Sequence, residues 1–318
     1  MPFTDKNIIV FGANGFVGTI LVKDLLSKGA NVVAVYRDQN CKSQLPPPSL
    51  NLSYYQADIM NKLDITNCIS KFEADYIFQL ASNSIVKICH ADPYSAYMTN
   101  VIGSLNVLEA IRTIKRPIIK GVFLTSDKAY GPAPVPYTED TPPVVGDTYA
   151  TSKTCQDFIA SSYAKTYNLP IVIARASNIY GPGDLNTSRL IPRSILNLLK
   201  GKSPVLYDGV AKYIREFVYV DDVVSGLETL AISGVPGEAY NIGGAVDDRY
   251  EILHLIQKIC DLIDPNIGIE IQHKDFAEIQ VQYLNAKKLE ALGWNRSVSV
   301  DLGLIKTIEW YKQLNESK

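Results

Sequence analysis

The sequence predicts an α/β protein built on a doubly wound parallel sheet, with a smaller C-terminal α/β lobe. Two observations indicate this fold. Short β-branched runs alternate with amphipathic segments through the first half of the chain, and a glycine-rich loop follows the first of those runs. Alternation at this spacing is typical of a parallel sheet with helices on both faces. The 318 residues are enough for one large domain or two modest ones.

The first half of the chain divides into six strands and four helices. The predicted strands are Asn7–Phe11, Asn31–Tyr36, Tyr54–Ala57, Tyr76–Leu80, Ile119–Leu124 and Ile171–Ala174. The predicted helices are Thr19–Lys28, Lys62–Phe72, Pro93–Ile114 and Thr148–Tyr167. Between the second and third strands, Cys41–Ser49 contains three consecutive prolines and is predicted to be a surface loop.

The pattern changes after Asn178, which indicates a second lobe. A turn is predicted at Ile179–Gly183 and a strand at Phe217–Val220. The predicted helices are Arg189–Lys200, Asp221–Ser233, Tyr250–Leu262 and one from Trp294 onward. We expect residues 1–178 with 216–242 to form the dinucleotide-binding domain, and residues 179–215 with 243–318 to cover the carboxyl ends of its strands, where ligands bind in such sheets.

Composition excludes several classes of function. A net charge of −2 gives no basic surface for nucleic acid or an anionic membrane, and no apolar run is long enough to span a bilayer. The N-terminal residues lack a charged segment followed by an apolar one, so we expect a cytoplasmic protein rather than a secreted one. The five cysteines are scattered without a CxxC pair, and the three histidines lack zinc-ligand spacing. Free thiols and no metal are expected.

The segment Gly12-Ala13-Asn14-Gly15-Phe16-Val17-Gly18 lies between a predicted strand and a predicted helix. Glycines at such a turn permit close approach of the backbone to a pyrophosphate at the helix N-terminus. Because a lone glycine-rich match is weak evidence, its position inside a βαβ unit is what favours a Rossmann-like dinucleotide site over an ordinary βα turn.

A second motif, Tyr149-Ala150-Thr151-Ser152-Lys153, begins a predicted helix. It places a phenol and an ammonium one helical turn apart on the same face. Such pairs also occur by chance as a packed tyrosine beside a solvated lysine. Together with the glycine loop, however, the pair suggests proton transfer coupled to redox chemistry at an alcohol carbon.

Both motifs, in this order, resemble the extended branch of the short-chain dehydrogenase/reductase superfamily, whose members act on nucleotide sugars. Further resemblances are Ala57-Asp58-Ile59, Leu80-Ala81-Ser82, Asn100 to Ala110, Arg175 to Gly183, Arg215 to Asp222 and Tyr240 to Gly244. The resemblance implies NAD or NADP as cofactor. The residues it implies at the cofactor are Gly12, Asn14, Gly15, Phe16, Val17, Gly18, Tyr36, Arg37, Asp38, Asp58, Ile59, Leu80, Ala81, Ser82, Asn100, Thr125, Tyr149 and Lys153.

The resemblance also implies catalytic roles. Ser126 would hydrogen-bond the sugar hydroxyl, Tyr149 would remove its proton, and Lys153 would hold the ribose and favour ionisation of the phenol. In Ser126-Asp127-Lys128, the acid is typical of 4,6-dehydratases, which must protonate a departing 6-hydroxyl, and Lys128 replaces the more usual glutamate base. This combination resembles the CDP-glucose 4,6-dehydratase branch. A 4-epimerase and a non-catalytic dinucleotide sensor are the alternatives.

By the same resemblance, a nucleoside diphosphate sugar would be the substrate. Its implied contacts are Ser84, Ser126, Asn178, Arg189, Arg215 and Asn241. Arg37 follows the second strand and tilts the cofactor choice toward NADP, because an arginine there can accommodate a 2′-phosphate, although Asp38 could still reach a ribose hydroxyl. The two long helices, Pro93–Ile114 and Thr148–Tyr167, are expected to pair with their copies as a four-helix bundle in a homodimer.

Overall fold

A computed structural model describes residues 2–38, 45–244, 249–273 and 279–316. Its strands, numbered along the chain, are β1 (Asn7–Phe11), β2 (Asn31–Tyr36), β3 (Leu52–Gln56), β4 (Tyr76–Gln79), β5 (Lys120–Leu124), β6 (Ile171–Ala176), β7 (Asn178–Tyr180), β8 (Val205–Tyr207), β9 (Ile214–Tyr219), β10 (Ala239–Ile242), β11 (Arg249–Glu251), β12 (Glu270–Gln272) and β13 (Val281–Gln282). Residues 41–44 of the predicted loop Cys41–Ser49 lie outside the described residues.

The α-helices are α1 (Phe16–Ser27), α2 (Lys62–Lys71), α3 (Val86–Ala91), α4 (Pro93–Tyr97), α5 (Gly103–Thr113), α6 (Thr148–Tyr167), α7 (Leu190–Leu198), α8 (Asp208–Ala211), α9 (Val220–Ser233), α10 (Ile252–Ile263), α11 (Lys287–Glu290) and α12 (Val300–Glu316). A π-helical turn covers Met98–Ile102 and a 3₁₀ turn covers Asp127–Tyr130. No helix in the described ranges combines the length and the apolar character needed to cross a membrane.

The main sheet confirms the predicted doubly wound architecture. Seven parallel strands lie in the order β10–β6–β5–β4–β1–β2–β3. One hydrophobic cluster packs α1 and α9 on one face, and a second packs α2, α5 and α6 on the other. Strands β4 and β6 are buried along their whole length, and most of their residues are apolar rather than alternating with polar ones.

The predicted helix Pro93–Ile114 is wrong as a single element. It is divided into α4, the π-helical turn and α5. In the π turn, the buried Asn100 side chain accepts a hydrogen bond from the Asn83 backbone N–H (2.7 Å) and donates to the Ser152 hydroxyl (2.9 Å). The extra residue in such a turn re-aims a side chain, and π turns often occur at functional sites.

The predicted turn at Ile179–Gly183 is also wrong in its first part. Asn178–Tyr180 forms β7, which pairs in parallel with β9. In the same small sheet β9 lies between β11 and β13, and β8 and β12 form a separate pair. The cluster beneath these strands includes Ile256, Leu304 and Tyr311, while Trp294, farther along the chain, packs into the core of the main sheet.

Candidate active site

The glycine loop joins β1 to α1 and confirms the predicted βα turn. Gly12 has φ +77°, and a Cβ there would lie 2.7 Å from the backbone nitrogen of Ala81. A Cβ on Gly18 would lie 2.2 Å from the carbonyl oxygen of Gly12. Both positions therefore exclude any side chain, and the close approach brings the loop against the end of β4.

Helix α1 begins at Phe16, three residues earlier than predicted, with Gly15 as its N-cap. Gly15 makes no side-chain cap hydrogen bond, and no acidic residue lies in the first turn. The N–H groups of this turn, together with the positive end of the helix dipole, are suited to an anion such as a pyrophosphate. Asn14, Phe16 and Val17 are partly exposed around this helix end.

The end of β4 is held by side chains from neighbouring elements. The Gln79 amide bonds both the N–H and the carbonyl of Ala81 (3.3 and 3.0 Å). The Asn100 amide bonds both the N–H and the carbonyl of Asn83 (2.7 and 3.0 Å). Asn100 thus fixes the loop that contains Ser82, and its own amide is fully buried.

The adenosine end of the predicted cofactor site is more open. Tyr36 ends β2 and its ring packs edge-on against Tyr54, while Arg37 and Asp38 are exposed. The Asp58 carboxylate accepts a hydrogen bond from the Met60 N–H (3.0 Å), and the Ile59 side chain is buried against Gly103 of α5.

Ser126 caps the 3₁₀ turn that follows β5 and Asp127 is the first residue of that turn; both are buried. The Ser126 hydroxyl donates to Asp127 Oδ1 (3.0 Å) and accepts from the Lys128 N–H (3.2 Å). Asp127 Oδ2 has no hydrogen-bond partner in the described structure. Burial raises the pKa of Asp127, with the charges of Lys128 and Arg215 acting in the opposite direction. The site therefore favours a protonated carboxylic acid next to a serine hydroxyl.

Tyr149 and Lys153 face this turn from α6. Asp147 caps the helix, its carboxylate accepting from the Ala150 N–H (2.9 Å). Burial raises the pKa of Tyr149 to about 12, and a hydrogen bond with the Ser126 hydroxyl acts to lower it. Burial lowers the pKa of Lys153 to about 7. The Lys153 ammonium donates to the Leu124 carbonyl (3.2 Å) and to Gln156 Oε1 (2.9 Å), which fixes it beneath the end of β5.

Sequence reasoning missed a second buried acid, Glu216, on β9. Its side chain is fully buried, Oε2 accepts from the Leu284 N–H (3.2 Å), and Oε1 has no partner among the described residues. Burial raises the pKa of Glu216 to about 8, and the charge of Asp127 adds to the increase. An acidic residue inside an apolar strand run, as in Arg215-Glu216-Phe217-Val218, was the signal available in the sequence.

Two residues predicted to contact the ligands direct their side chains to protein partners. The fully buried Asn241 amide accepts from the Tyr130 hydroxyl (2.7 Å) and donates to the carbonyls of Tyr137 and Asn285 (3.0 and 3.1 Å). It therefore lies behind the site rather than in it. The Thr125 hydroxyl donates to Asp157 and to the Ala174 carbonyl (3.3 and 3.2 Å). Both residues were predicted from motifs that cannot show side-chain direction.

The remaining predicted substrate residues bond to neighbouring protein groups. Arg189 pairs with Asp184 (3.0 Å), donates to the Ser84 hydroxyl (3.4 Å) and stacks over the Phe16 ring (5.9 Å). It thus joins the start of α7 to the region of the glycine loop. The Arg215 guanidinium donates to the carbonyls of Ile279 and Gln280 (2.5 and 3.2 Å). The Asn178 amide donates to the Glu216 carbonyl (3.0 Å).

The donor set fits a dinucleotide. The glycine loop leaves no room for a Cβ at Gly12 or Gly18, and the end of β4 is built against it. Within the described ranges, no group of three histidine, cysteine or acidic side chains could hold a metal. A seven-stranded parallel sheet, this loop, and a serine, tyrosine and lysine that converge at the carboxyl end of β5 define a dinucleotide-dependent enzyme of the short-chain dehydrogenase/reductase type.

More specifically, the chain belongs to the NAD dependent epimerase/dehydratase family, whose model matches residues 8–243. A probable dTDP-glucose 4,6-dehydratase of Sinorhizobium fredii is 33% identical, covering 96% of this chain and 92% of that protein. The solved dTDP-glucose 4,6-dehydratase of Bacillus anthracis in complex with NAD has a TM-score of 0.86 at 27% identity, covering 98% of each chain. The solved UDP-glucose 4-epimerase of Thermotoga maritima with UDP-glucose has a TM-score of 0.88 at 26% identity, covering 97% and 99%.

Proposed function

We propose that this protein is a 4,6-dehydratase acting on a nucleoside diphosphate hexose, with CDP-glucose as the favoured substrate. The observation that carries the proposal is Asp127, a buried carboxyl next to Ser126 whose pKa is raised and whose Oδ2 is unpartnered. An epimerase exchanges hydride at C4 and needs no acid for a leaving hydroxyl. A dehydratase needs one, and it must hold its proton near neutral pH.

The first step is oxidation at C4 of the hexose. Ser126 hydrogen-bonds the C4 hydroxyl and Tyr149, in its ionised form, takes the hydroxyl proton. The bound nicotinamide dinucleotide supplies the hydride acceptor and a positive charge that favours ionisation of the phenol. Burial raises the pKa of Tyr149 to about 12 in the protein alone, and such a charge would act to lower it.

The second step eliminates water across C5 and C6. The C4 ketone makes the C5 proton acidic, and we assign its removal to Lys128, which follows Asp127 in the turn. The C6–O bond breaks and Asp127 gives its proton to the departing oxygen, which leaves as water. A proton would be returned to C5 and the hydride taken at C4 would be delivered to C6, so no external oxidant would be consumed.

The phosphates would be held by the cations of the second lobe. The Arg215 guanidinium donates hydrogen bonds to backbone carbonyls. The Arg189 guanidinium contacts both the Ser84 hydroxyl and the Phe16 ring. Planar guanidinium groups suit phosphate oxygens. We propose that both exchange part of these contacts for the pyrophosphate, with Ser84 and Asn178 beside it.

The choice of base and sugar can be tested directly. The protein is incubated with CDP-, dTDP- and UDP-hexoses, and each product is examined by mass spectrometry in ordinary and deuterated water. Loss of one water with deuterium at C5, fastest for CDP-glucose, supports the proposal. Faster dehydration of dTDP-glucose would contradict the CDP assignment and keep the dehydratase.

The alternative is a 4-epimerase. The likeness to the UDP-glucose 4-epimerase fold and the absence of the usual glutamate at Lys128 favour it. In the same assay an epimerase gives a product of unchanged mass, with altered C4 configuration and no deuterium at C5. That result would overturn the dehydratase reading.

Cofactor preference depends on Arg37. We propose that its exposed guanidinium reaches the 2′-phosphate of NADP, and we therefore expect Arg37→Ala to weaken NADP binding by about 1.5–3 kcal/mol, the range for a lost charge-assisted hydrogen bond, with NAD binding unchanged. Titration calorimetry with both cofactors measures this. Equal losses for the two, or tighter binding of NAD by the unchanged protein, would contradict the preference.

We also propose a cytoplasmic location. Cys68, Cys89, Cys155 and Cys260 are free thiols, three of them buried. Unpaired cysteines in this number are typical of a reducing compartment.

A further inference from the structure

A buried ion pair behind the candidate active site joins β6 to α6, the helix that carries Tyr149 and Lys153. Arg175 Nε and Nη2 donate to the two carboxylate oxygens of Asp157, at 2.7 and 2.8 Å. The side chains are only 9% and 3% exposed. A bidentate pair of this kind fixes orientation as well as distance.

Asp157 lies on the same face of α6 as the two proposed proton-transfer residues. Tyr149, Lys153 and Asp157 are spaced four residues apart on α6, so their side chains follow one stripe of the helix. Any group attached to Asp157 is therefore placed relative to Tyr149.

Both ends of the 3₁₀ turn that carries Ser126 and Asp127 are attached to this pair. Before the turn, the Thr125 hydroxyl donates to Asp157 Oδ2 (3.3 Å). At its end, Arg175 Nη1 donates to the Tyr130 hydroxyl (2.9 Å), and the guanidinium carbon lies 4.9 Å from the Tyr130 ring centre. The Tyr130 hydroxyl in turn donates to the buried Asn241 amide (2.7 Å).

We propose that Asp157 and Arg175 are positioning residues that hold the turn against α6 and so set the contact between the Ser126 hydroxyl and the Tyr149 phenol. This inference rests on the proposed roles of Ser126 and Tyr149. Neither Asp157 nor Arg175 is assigned any contact with the substrate. Their effect passes through the two ends of the turn, which also carries the acid Asp127.

The links can be cut without leaving a buried charge unpaired. Thr125→Val removes the first link and Tyr130→Phe removes the hydrogen bond of the second, whereas changing Asp157 or Arg175 would leave its charged partner unpaired in the interior. Because small misplacements of catalytic groups are costly, we expect kcat to fall by roughly 10- to 100-fold in each variant with KM little changed. The Ser126 hydrogen bond lowers the pKa of Tyr149. Its weakening should therefore move the acid limb of the kcat–pH profile to higher pH.

A second readout needs neither cofactor nor substrate. Hydrogen–deuterium exchange of the amides of residues 128–131 should become faster in both variants of the free protein, because the Lys128, Ala129 and Gly131 N–H groups are bonded within the turn. Tyr180→Phe is the matched control. It removes an equally buried hydroxyl, which bonds the Val300 carbonyl in the second lobe, and should change neither the acid limb nor the exchange.

The proposal is overturned if the two variants keep the wild-type kcat and acid limb, or if Tyr180→Phe reproduces their effect. If no nucleotide sugar reacts with the unchanged protein, the proposed function fails while the exchange measurement still decides the positioning role. Unchanged exchange in both variants then counts against it, and faster exchange confined to the turn supports it.

Discussion

Burial shifts the pKa values of Tyr149 and Lys153 in opposite directions, to about 12 and about 7. Both shifts favour the uncharged form of the side chain, and a nearby ligand charge of the opposite sign would favour the charged form. Tyr149→Phe keeps the shape of the ring and removes the proton acceptor. We expect kcat to fall by about 10²–10⁴-fold while cofactor affinity is retained.

The measurement pairs steady-state kinetics with cofactor titration. Tyr163→Phe is the control on the same helix, since the Tyr163 hydroxyl bonds Glu109 rather than the active-site turn. Full activity of Tyr149→Phe would show that another group removes the C4 hydroxyl proton.

Asp127 gives the elimination step its own pH dependence. Because its pKa is raised by burial, the acid form persists above the usual carboxyl range and is lost as pH rises through that raised value. The rate of water loss should fall along the same limb. Asp127→Asn cannot donate as an acid, so we expect C4 oxidation to continue, visible as reduced-nicotinamide absorbance, while elimination becomes slow and loses this limb.

Lys128→Ala tests the proposed role of Lys128 as the base that removes the C5 proton. The variant should slow exchange of that proton with deuterated water. The exposed Asp140 lies in the loop that follows, and Asp140→Asn serves as the control for a lost carboxylate nearby. Dehydration at the wild-type rate by both Asp127→Asn and Lys128→Ala would contradict the assigned acid and base.

At the scale of elements, the first half of the fold could be predicted because its signals are local. Apolar runs bounded by turns gave β1, β2 and β4 within a residue, and Asp147 marks the start of α6. The strand β7 could not be predicted. Its three residues are stabilised by pairing with β9, which lies far along the chain, and no local periodicity reports such a partner.

The same limit applies to the site. Spacing was sufficient to predict Tyr149 with Lys153, but direction was not available for Asn241 or Thr125, whose side chains turn away into protein partners. Asp157 and Glu216 were missed because the role of a single acidic residue can be inferred only when its burial and its bonding partners are known.

The glycine loop yields a prediction at this scale. A Cβ on Gly18 would lie 2.2 Å from the Gly12 carbonyl oxygen, so Gly18→Ala must displace the backbone of the loop. We expect the dissociation constant of the nicotinamide cofactor to rise at least tenfold, which corresponds to a loss of about 1.4 kcal/mol of binding free energy. Cofactor fluorescence titration measures it.

Gly268→Ala is the matched control, because a Cβ there meets nothing within 4 Å and the residue needs no positive φ. If the two variants have comparable melting temperatures, weaker cofactor binding by Gly18→Ala reports a change in the glycine loop and not unfolding of the protein. Unchanged affinity in Gly18→Ala would mean that the pyrophosphate does not depend on this loop.

At the scale of the whole molecule, α4, α5 and α6 form one outer layer with apolar side chains left exposed. Arg112 of α5 stacks on Tyr167 of α6, and Tyr163 bonds Glu109 between the same helices. The exposed large apolar side chains of these helices and of the π-helical turn between α4 and α5 are Tyr94 (74%), Tyr97 (37%), Ile102 (37%), Phe158 (55%) and Tyr167 (47%). Exposed apolar side chains on neighbouring helices are typical of an interface, and two-fold dimers are the commonest oligomers.

We therefore propose that this layer pairs with its copy as a four-helix bundle, and we expect sedimentation equilibrium to give a dimer at micromolar concentration. Phe158→Glu would bury a charge without a partner at a two-fold interface, twice per dimer, and should shift the protein to monomer. Ile305→Glu is the control, since Ile305 is similarly exposed (48%) but lies on α12 of the second lobe. A monomer before any substitution, or dissociation by both variants alike, would contradict the bundle, whereas dissociation by Phe158→Glu alone places the interface on α6.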